Sequence, residues 1–93
     1  MQTRLTTAML PNEMQATIQQ SGILAKAATL LNVPVSLTEQ YPKGLGHTVP
    51  ALLEILPNIK AVEKTAFSCL AEPKFSRQLT SDRSQIILAG MEA

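Results

Sequence analysis

Lys64, Cys69 and His47 are the side chains of this sequence with the clearest potential for chemistry. An ammonium group near a thiol favours the thiolate, which is the nucleophilic form of cysteine, and an imidazole can take up its proton. Lys64 and Cys69 are five residues apart, so a cysteine nucleophile is one hypothesis. The alternative is a small buried residue, since free cysteine is commonly buried. From the residues alone we favour burial for Cys69 and a surface loop position for His47.

Metal and nucleotide chemistry find little support in the residue types. One cysteine and one histidine cannot supply the three or four protein ligands of a zinc site, so we expect neither a metal nor a cofactor. Gly44 and Gly46 lack the third glycine and the long following helix of a dinucleotide fingerprint. Glu54 and Glu63 fall in different predicted elements, and we interpret both as surface carboxylates rather than as an acid–base pair.

Composition excludes several classes of partner. The chain has 93 residues, 45% of them hydrophobic, and 8 Lys and Arg against 7 Asp and Glu. A net charge of +1 and 3% aromatic residues provide neither a basic stripe nor a stacking surface for nucleic acid. The apolar runs are too short to span a membrane. With one cysteine there is no internal disulfide, and we expect one domain over residues 1–93 in the cytoplasm.

A long amphipathic helix is predicted over residues 13–31. Asn12 is expected to cap it in an Asn variant of the capping box with Gln15, and Asn32 and Pro34 are expected to end it. Apolar residues recur at helical spacing and predict a buried stripe. Its expected members are Met14, Ile18, Ala25 and Ala28, widened by Leu24, Ala27, Leu30 and Leu31.

The rest of the chain alternates strands and helices. Strands are predicted at residues 33–38, 59–65 and 85–89, a short helix at 49–56, and a helix at 67–79 in which Pro73 marks a start or a kink. Residues 41–48, with Gly44 and Gly46, are expected to form a loop. This alternation predicts an α/β fold with a parallel sheet. Ligands bind beyond the carboxyl ends of such strands, which is where Gln40 and Lys64 fall.

Three motifs in this order resemble the isochorismatase-like cysteine hydrolases, and within them the isochorismatase-domain-containing subgroup. They are TEQYPKGLG at residues 38–46, EKTAFS at 63–68 and IILAGMEA at 86–93, and the resemblance covers essentially the whole chain. It implies a three-layer α/β/α fold of about six parallel strands in the order 3-2-1-4-5-6. It also implies a catalytic triad of aspartate, lysine and cysteine.

The resemblance assigns the catalytic lysine to Lys64 and a substrate-binding role to Gln40, for which a loop-structuring hydrogen bond is the alternative. Met1 and Gln2 resemble the end of an Asp-x-Gln pattern, so the aspartate would precede Met1, and the cysteine would follow Ala93. The chain is therefore expected to be an interior fragment of a hydrolase for a small-molecule substrate, and to be catalytically incomplete as given.

The same order of strands leaves a gap in the expected sheet, because the first strand would lie between the strands at 33–38 and 85–89. Unpaired strand edges promote association. We therefore expect a homo-oligomer, and the alternative function is a non-catalytic oligomerisation or interaction module on the same scaffold.

Overall fold

The computed structural model describes residues 1–79 and 81–91. A 3₁₀ turn at Thr6–Ala8 precedes a long helix, and a short parallel sheet with small helices follows. The elements are α1 (Pro11–Leu30), β1 (Thr38–Gln40), α2 (Pro42–Leu45), α3 (Pro50–Ile55), β2 (Val62–Lys64), a 3₁₀ turn at Cys69–Ala71, and α4 (Pro73–Gln78).

Backbone geometry, rather than side-chain capping, defines both ends of helix α1. Its N-cap is Leu10, which makes no side-chain capping bond, and Pro11 occupies the first turn, where its missing N–H costs nothing. The capping box predicted for Asn12 is therefore wrong. The predicted end at Asn32 is confirmed: Asn32 has φ 56°, and Val33 N–H donates to Ala28 O at 2.8 Å. This is the Schellman arrangement, which favours a left-handed residue just after the helix.

One side of α1 packs against α3. Met14 and Gly22 are buried, and a Cβ built on Gly22 would lie 3.1 Å from Ile55 Cδ1, so the two helices approach closely there. Leu30 is 83% exposed and Leu31 73% exposed, although the periodicity placed both in the core stripe. Together with the half-exposed Leu24 they correct that prediction, because α3 covers a narrower face than the apolar residues occupy.

The sheet consists of β1 and β2, which pair in parallel with Glu39 opposite Glu63. Val62 N–H donates to Leu37 O at 2.8 Å and Tyr41 N–H to Lys64 O at 2.9 Å. β2 lies within the strand predicted at 59–65, but β1 shares only Thr38 with the strand predicted at 33–38, because residues 33–37 take no regular secondary structure. The α/β class with a parallel sheet is confirmed. The pairing covers three residues of each strand, so the described residues form a smaller arrangement than the expected three layers.

The strand predicted at residues 85–89 is absent, and that prediction is wrong for the described chain. Residues 83–89 take no regular secondary structure, and Ile87 and Leu88 are 83% and 79% exposed. A β-strand forms through hydrogen bonds to a neighbouring strand. None of the described residues pairs with this segment.

The proline residues divide the remaining helices. Pro50 starts α3, so the short helix predicted at 49–56 is confirmed. The predicted helix at 67–79 is instead a 3₁₀ turn followed by α4, which Pro73 starts and which the Glu72 carboxylate caps by accepting from Lys74 N–H. Proline has no backbone N–H to donate inside a helix. Pro73 therefore favours the start of a new helix over the continuation of a preceding one.

The buried apolar side chains come from four elements and from the two residues that flank α3. They are Met14, Val49, Leu52, Leu56, Val62 and Phe75. They lie on α1, beside or within α3, on β2 and on α4, and of these elements α1 and α3 pack directly on each other.

Truncation of Leu52 tests this core. Leu52 is 7% exposed, whereas its neighbour Leu53 is 37% exposed. We expect Leu52→Ala to lower the free energy of unfolding by about 2–5 kcal/mol, through lost burial and the cavity that remains. Leu53→Ala, the matched control, is expected to cost clearly less. Urea unfolding followed by circular dichroism measures both, and equal losses would contradict the packing described.

Candidate active site at the carboxyl ends of the strands

The last residue of β2 carries a buried ammonium group. Lys64 is 5% exposed, and its Nζ donates to Gln40 Oε1 at 2.7 Å, to Phe67 O at 2.7 Å and to Ala66 O at 3.1 Å. The Nζ also lies 5.9 Å from the centre of the Phe67 ring. Burying a charge is costly unless hydrogen bonds replace its water. The sequence meets this cost by turning the chain directly after β2, so that two carbonyl groups face the ammonium.

Gln40, the last residue of β1, spans the carboxyl ends of both strands. Its Oε1 accepts from Lys64, and its Nε2 donates to Thr65 O at 2.9 Å. A glutamine amide has two donors and two acceptor positions, so each atom keeps one further hydrogen-bonding position. Gln40 therefore fixes the ammonium and still presents polar groups.

The side chain of Gln2 occupies the outer edge of β1. Its Oε1 accepts from Gln40 N–H at 2.6 Å, and its Nε2 donates to Gln40 O at 2.8 Å and to Gly46 O at 2.7 Å. Gln2 is 4% exposed, and its backbone forms an isolated antiparallel β-bridge with Thr48. Its amide thus takes the place that a neighbouring strand would take beside Gln40.

These residues border an open cleft of about 470 Å³. Residues 36–38, Gln40, residues 87–91, Lys64, Cys69 and Phe75 are among those that line it. The arrangement presents a fixed positive charge beside a space large enough for a small molecule. A preorganised ammonium of this kind stabilises negative charge that develops nearby.

A second polar cluster lies on the neighbouring residue of β1. Glu39 is 3% exposed; its Oε2 accepts from Thr48 N–H at 2.6 Å and from Thr48 Oγ1 at 2.9 Å, and its Oε1 lies 3.1 Å from His47 Nδ1. Burial raises the pKa of the Glu39 carboxyl, but the hydrogen bonds from Thr48 and His47 together outweigh burial. The net pKa is below the ordinary value of 4.5.

The loop between β1 and α3 is shaped by two residues with positive φ. Tyr41 has φ 37°, which is strained for a residue with a side chain, and Gly46 has φ 78°. A Cβ on Gly46 would collide with Thr3 Oγ1, so this position requires glycine. The predicted loop also contains α2. Together these features bring Gly46 O to Gln2 and His47 to Glu39.

The structure brings Gln40 and Lys64 together, as the strand ends predict. Cys69 also lines the cleft, with its Sγ 3.6 Å from Thr38 Oγ1, and it is half-buried in a 3₁₀ turn rather than fully buried as favoured from the residues. The His47 side chain is 71% exposed. Sequence reasoning missed Glu39 as a buried anchor, because Glu39 falls just outside the strand predicted at 33–38 and its partners come from the following loop.

Two negative findings concern the described residues. Residues 1–79 and 81–91 hold no group of three His, Cys, Asp or Glu side chains arranged for a metal ion. Within the same residues, the helices lack the length and apolar character needed to cross a bilayer.

Acidification tests the Glu39 cluster. Because the folded-state pKa of Glu39 is lowered, its contribution to stability is fully present above pH 4.5 and is lost as the pH falls through the folded pKa. We expect Glu39→Gln to cost about 1–3 kcal/mol at pH 7 and to flatten the stability profile below pH 4.5. Glu63→Gln, on the exposed opposite position of the ladder, is the matched control. Chemical unfolding at several pH values between about 3 and 7 measures the stability profiles. Identical profiles for Glu39→Gln and the parent would refute the stabilising role of Glu39.

Comparison with known proteins gives consistent matches. The chain is 43% identical over 77 residues to isochorismatase domain-containing protein 2 of Danio rerio, which covers 82% of this chain and 38% of the relative. It is 37% identical over 86 residues to the secreted isochorismatase effector Isc1 of Phytophthora sojae, covering 86% and 40%. It is 38% identical over 80 residues to isochorismatase family protein 1A of Dictyostelium discoideum, covering 81% and 39%.

The chain thus spans about two fifths of the length of these relatives. No protein-family model and no solved structure matches it. The relatives agree in their family name across an animal, an oomycete and a slime mould, and each alignment covers most of this chain. The predicted resemblance is confirmed, and the chain belongs to the isochorismatase-like family.

Proposed function

We propose that this chain is the lysine-bearing part of an isochorismatase-like hydrolase that acts on a small molecule. The observation that carries the proposal is the buried Lys64 ammonium at the carboxyl end of β2, fixed by three acceptors and facing an open cleft. In open α/β sheets this end of the strands is where substrates bind.

Lys64 acts in this proposal as a catalytic cation. Its Nζ is held by Gln40, Ala66 and Phe67, so little reorganisation is needed when negative charge forms in the cleft. A nearby ammonium also lowers the pKa of a thiol and favours the carboxylate form of an acid. A cysteine hydrolase needs both of these ionised forms, one for attack and one for proton transfer.

Gln40 is proposed to contact the substrate directly. It lines the cleft and, after its bonds to Lys64 and Thr65, keeps one donor and one acceptor position. The alternative is that Gln40 only positions Lys64, and the same hydrogen bonds are consistent with that role. A direct contact predicts effects on substrate affinity as well as on turnover.

The thiolate and the carboxylate of the triad are proposed to come from residues outside these 93. Without a nucleophile, a proton carrier and an oxyanion hole, the chain alone is expected not to turn over substrate. A cytoplasmic location remains part of the proposal, whereas one relative, from Phytophthora sojae, is named a secreted effector.

A second candidate function is oligomer assembly, which the apolar surface of α1 favours. Ile23 and Leu24 are about half exposed, and Leu30 and Leu31 are more exposed still. Contiguous apolar surface of this kind marks interaction sites. Here the partner would be a second copy of the chain.

A chimeric enzyme tests the catalytic assignment. Residues 1–91 are inserted in place of the matching segment of an isochorismatase-like hydrolase with measurable turnover. We expect Lys64→Ala to lower kcat by about 10²–10³-fold, the usual effect of removing one preorganised electrostatic group. Gln40→Ala is expected to raise KM and lower kcat.

Lys60→Ala is the matched control, because Lys60 is exposed and lies four residues before Lys64. It is expected to leave turnover unchanged. Full activity of a correctly folded Lys64→Ala chimera would rule out the assigned role, and so would hydrolysis by the isolated 93-residue chain that survives this substitution.

Sedimentation equilibrium tests the second candidate. If α1 mediates assembly, the 93-residue chain is expected to sediment above its monomer mass of 10.1 kDa, and Leu24→Lys combined with Leu31→Lys is expected to restore the monomer. Gln19→Lys, an exposed change on the same helix, is the control. A monomer at high protein concentration would exclude assembly through this surface.

A further inference from the structure

A path of hydrogen bonds runs from Glu39 to Lys64, although Glu39 does not line the cleft. The first link is Thr48, which is 1% exposed. Thr48 N–H and Thr48 Oγ1 donate to the same carboxylate oxygen of Glu39, at 2.6 and 2.9 Å. Hydrogen bonds to a charged acceptor are stronger than those between neutral groups. Glu39 therefore fixes the backbone and the side chain of Thr48 at once.

Thr48 is joined in turn to the start of the chain. Its backbone forms an antiparallel bridge with Gln2. Backbone hydrogen bonds flank this bridge on both sides, from Thr3 N–H to His47 O at 2.9 Å and from Val49 N–H to Met1 O at 2.8 Å. The position of Gln2 therefore depends on the segment that Glu39 holds.

Gln2 carries the constraint to the cleft. Its side-chain amide bonds both backbone groups of Gln40, at 2.6 and 2.8 Å, and the Gln40 side chain accepts from Lys64 Nζ at 2.7 Å. Because Glu39 and Gln40 are adjacent in β1, these contacts close into a ring that restrains the Gln40 peptide from the strand and from Gln2. The rotamer of a side chain depends on its backbone. A displaced Gln40 backbone would therefore move its Oε1 away from Lys64.

The negative charge of Glu39 is part of this arrangement. Burial raises the pKa of its carboxyl, but the hydrogen bonds from Thr48 and His47 outweigh burial, and the net pKa is below the ordinary value of 4.5. A neutral amide at this position would offer one acceptor oxygen in place of two. Anchoring of the loop requires only the bonds to Thr48. The contact of Gln2 with both backbone groups of Gln40 is what extends the constraint to the site.

We propose that Glu39 is a positioning residue for the Lys64 ammonium. It lies outside the cleft and acts through Thr48 and Gln2, which set the place of the Gln40 side chain. The inference deepens the proposed function, and its consequence for turnover rests on the catalytic role of Lys64. Its consequence for the position of the ammonium group does not.

¹⁵N NMR of the Lys64 ammonium in the 93-residue chain tests the position directly. Burial and hydrogen bonding slow proton exchange with water, so we expect a resolved ammonium signal at low temperature, assigned by its loss in Lys64→Arg. We expect Glu39→Gln and Thr48→Val to shift this signal and to speed its exchange about 3- to 10-fold, the effect of weakening about one hydrogen bond. Thr48→Ser, which keeps the hydroxyl group, is expected to give the parent signal.

Two comparisons separate positioning from other effects. Thr48→Val retains the Glu39 carboxylate, so its effect on Lys64 cannot come from a change of charge. Leu52→Ala removes a buried side chain that faces Gly22 of α1 rather than the hydrogen-bonded path. Its folded molecules are expected to give the parent signal despite their lower stability. If Glu39→Gln prevents folding, the two Thr48 variants decide the outcome.

The chimeric enzyme measures the consequence for turnover. We expect Glu39→Gln to lower kcat about 10- to 100-fold, the usual cost of a small displacement at a catalytic group. In a chimera that already carries Lys64→Ala, the same substitution is expected to cost less than about threefold, because residues that act through one another are not additive. Glu63→Gln, exposed on the other strand, is the matched control and is expected to leave kcat unchanged.

Several results would overturn the inference. An unchanged Lys64 signal in folded Glu39→Gln and Thr48→Val chains would leave Glu39 as a loop anchor only. An equal change of signal in Leu52→Ala would indicate general loosening, and an equal loss of kcat with and without Lys64 would show that Glu39 acts elsewhere. By contrast, a fully active Lys64→Ala chimera together with a responsive ammonium signal would remove the proposed function and support the positioning.

Discussion

The carboxyl end of β1 is held by side-chain amides and carbonyl groups in place of a second neighbouring strand, and the candidate site depends on this arrangement. Gln2 pairs with the backbone of Gln40 on one side, and the Gln40 side chain bridges to Lys64 and Thr65 on the other. A two-stranded sheet has little cooperativity of its own. These hydrogen bonds therefore define where β1 ends and where the Lys64 ammonium lies.

Burial explains why the two charged residues near the strand ends behave differently. Lys64 donates to Gln40, Ala66 and Phe67 and lines the cleft. Glu39 is bonded to Thr48 and His47 and is absent from the residues that line the cleft. Glu39 thus anchors the loop after β1, whereas the Lys64 ammonium lies at the cleft, where we propose that it acts.

Local signals in the sequence predicted part of the fold well. Pro50 and Asn32 fix backbone geometry without help from distant residues, and the predicted helix start at the first and helix end at the second are confirmed. The meeting of Gln40 and Lys64 follows from the general rule that parallel strands share a carboxyl edge. These inferences depend on local backbone geometry or on the order of strands and helices, and the residue pattern predicts both.

Predictions that depended on contacts with residues distant in the sequence were wrong or only partly right. Apolar residues at 85–89 resemble a buried strand, but β structure forms through hydrogen bonds to a partner that the described chain does not provide. Leu30 and Leu31 follow the helical period and are nevertheless exposed, because α3 is six residues long and covers a limited part of α1. Glu39 was undervalued for the converse reason, since its partners Thr48 and His47 come from a loop whose path depends on Gly46.

The failed strand and the uncovered leucines have a common physical origin. A chain of 93 residues buries a modest share of its surface, and here the buried apolar residues come from α1, α3 with its flanking residues, β2 and α4. Seven of the exposed large apolar residues in the described chain lie on α1, at its C-cap and at residues 86–88, and the others are spread over the loops and short helices. The short elements of this chain thus set which apolar residues are buried, because each covers only the part of its neighbour that it reaches.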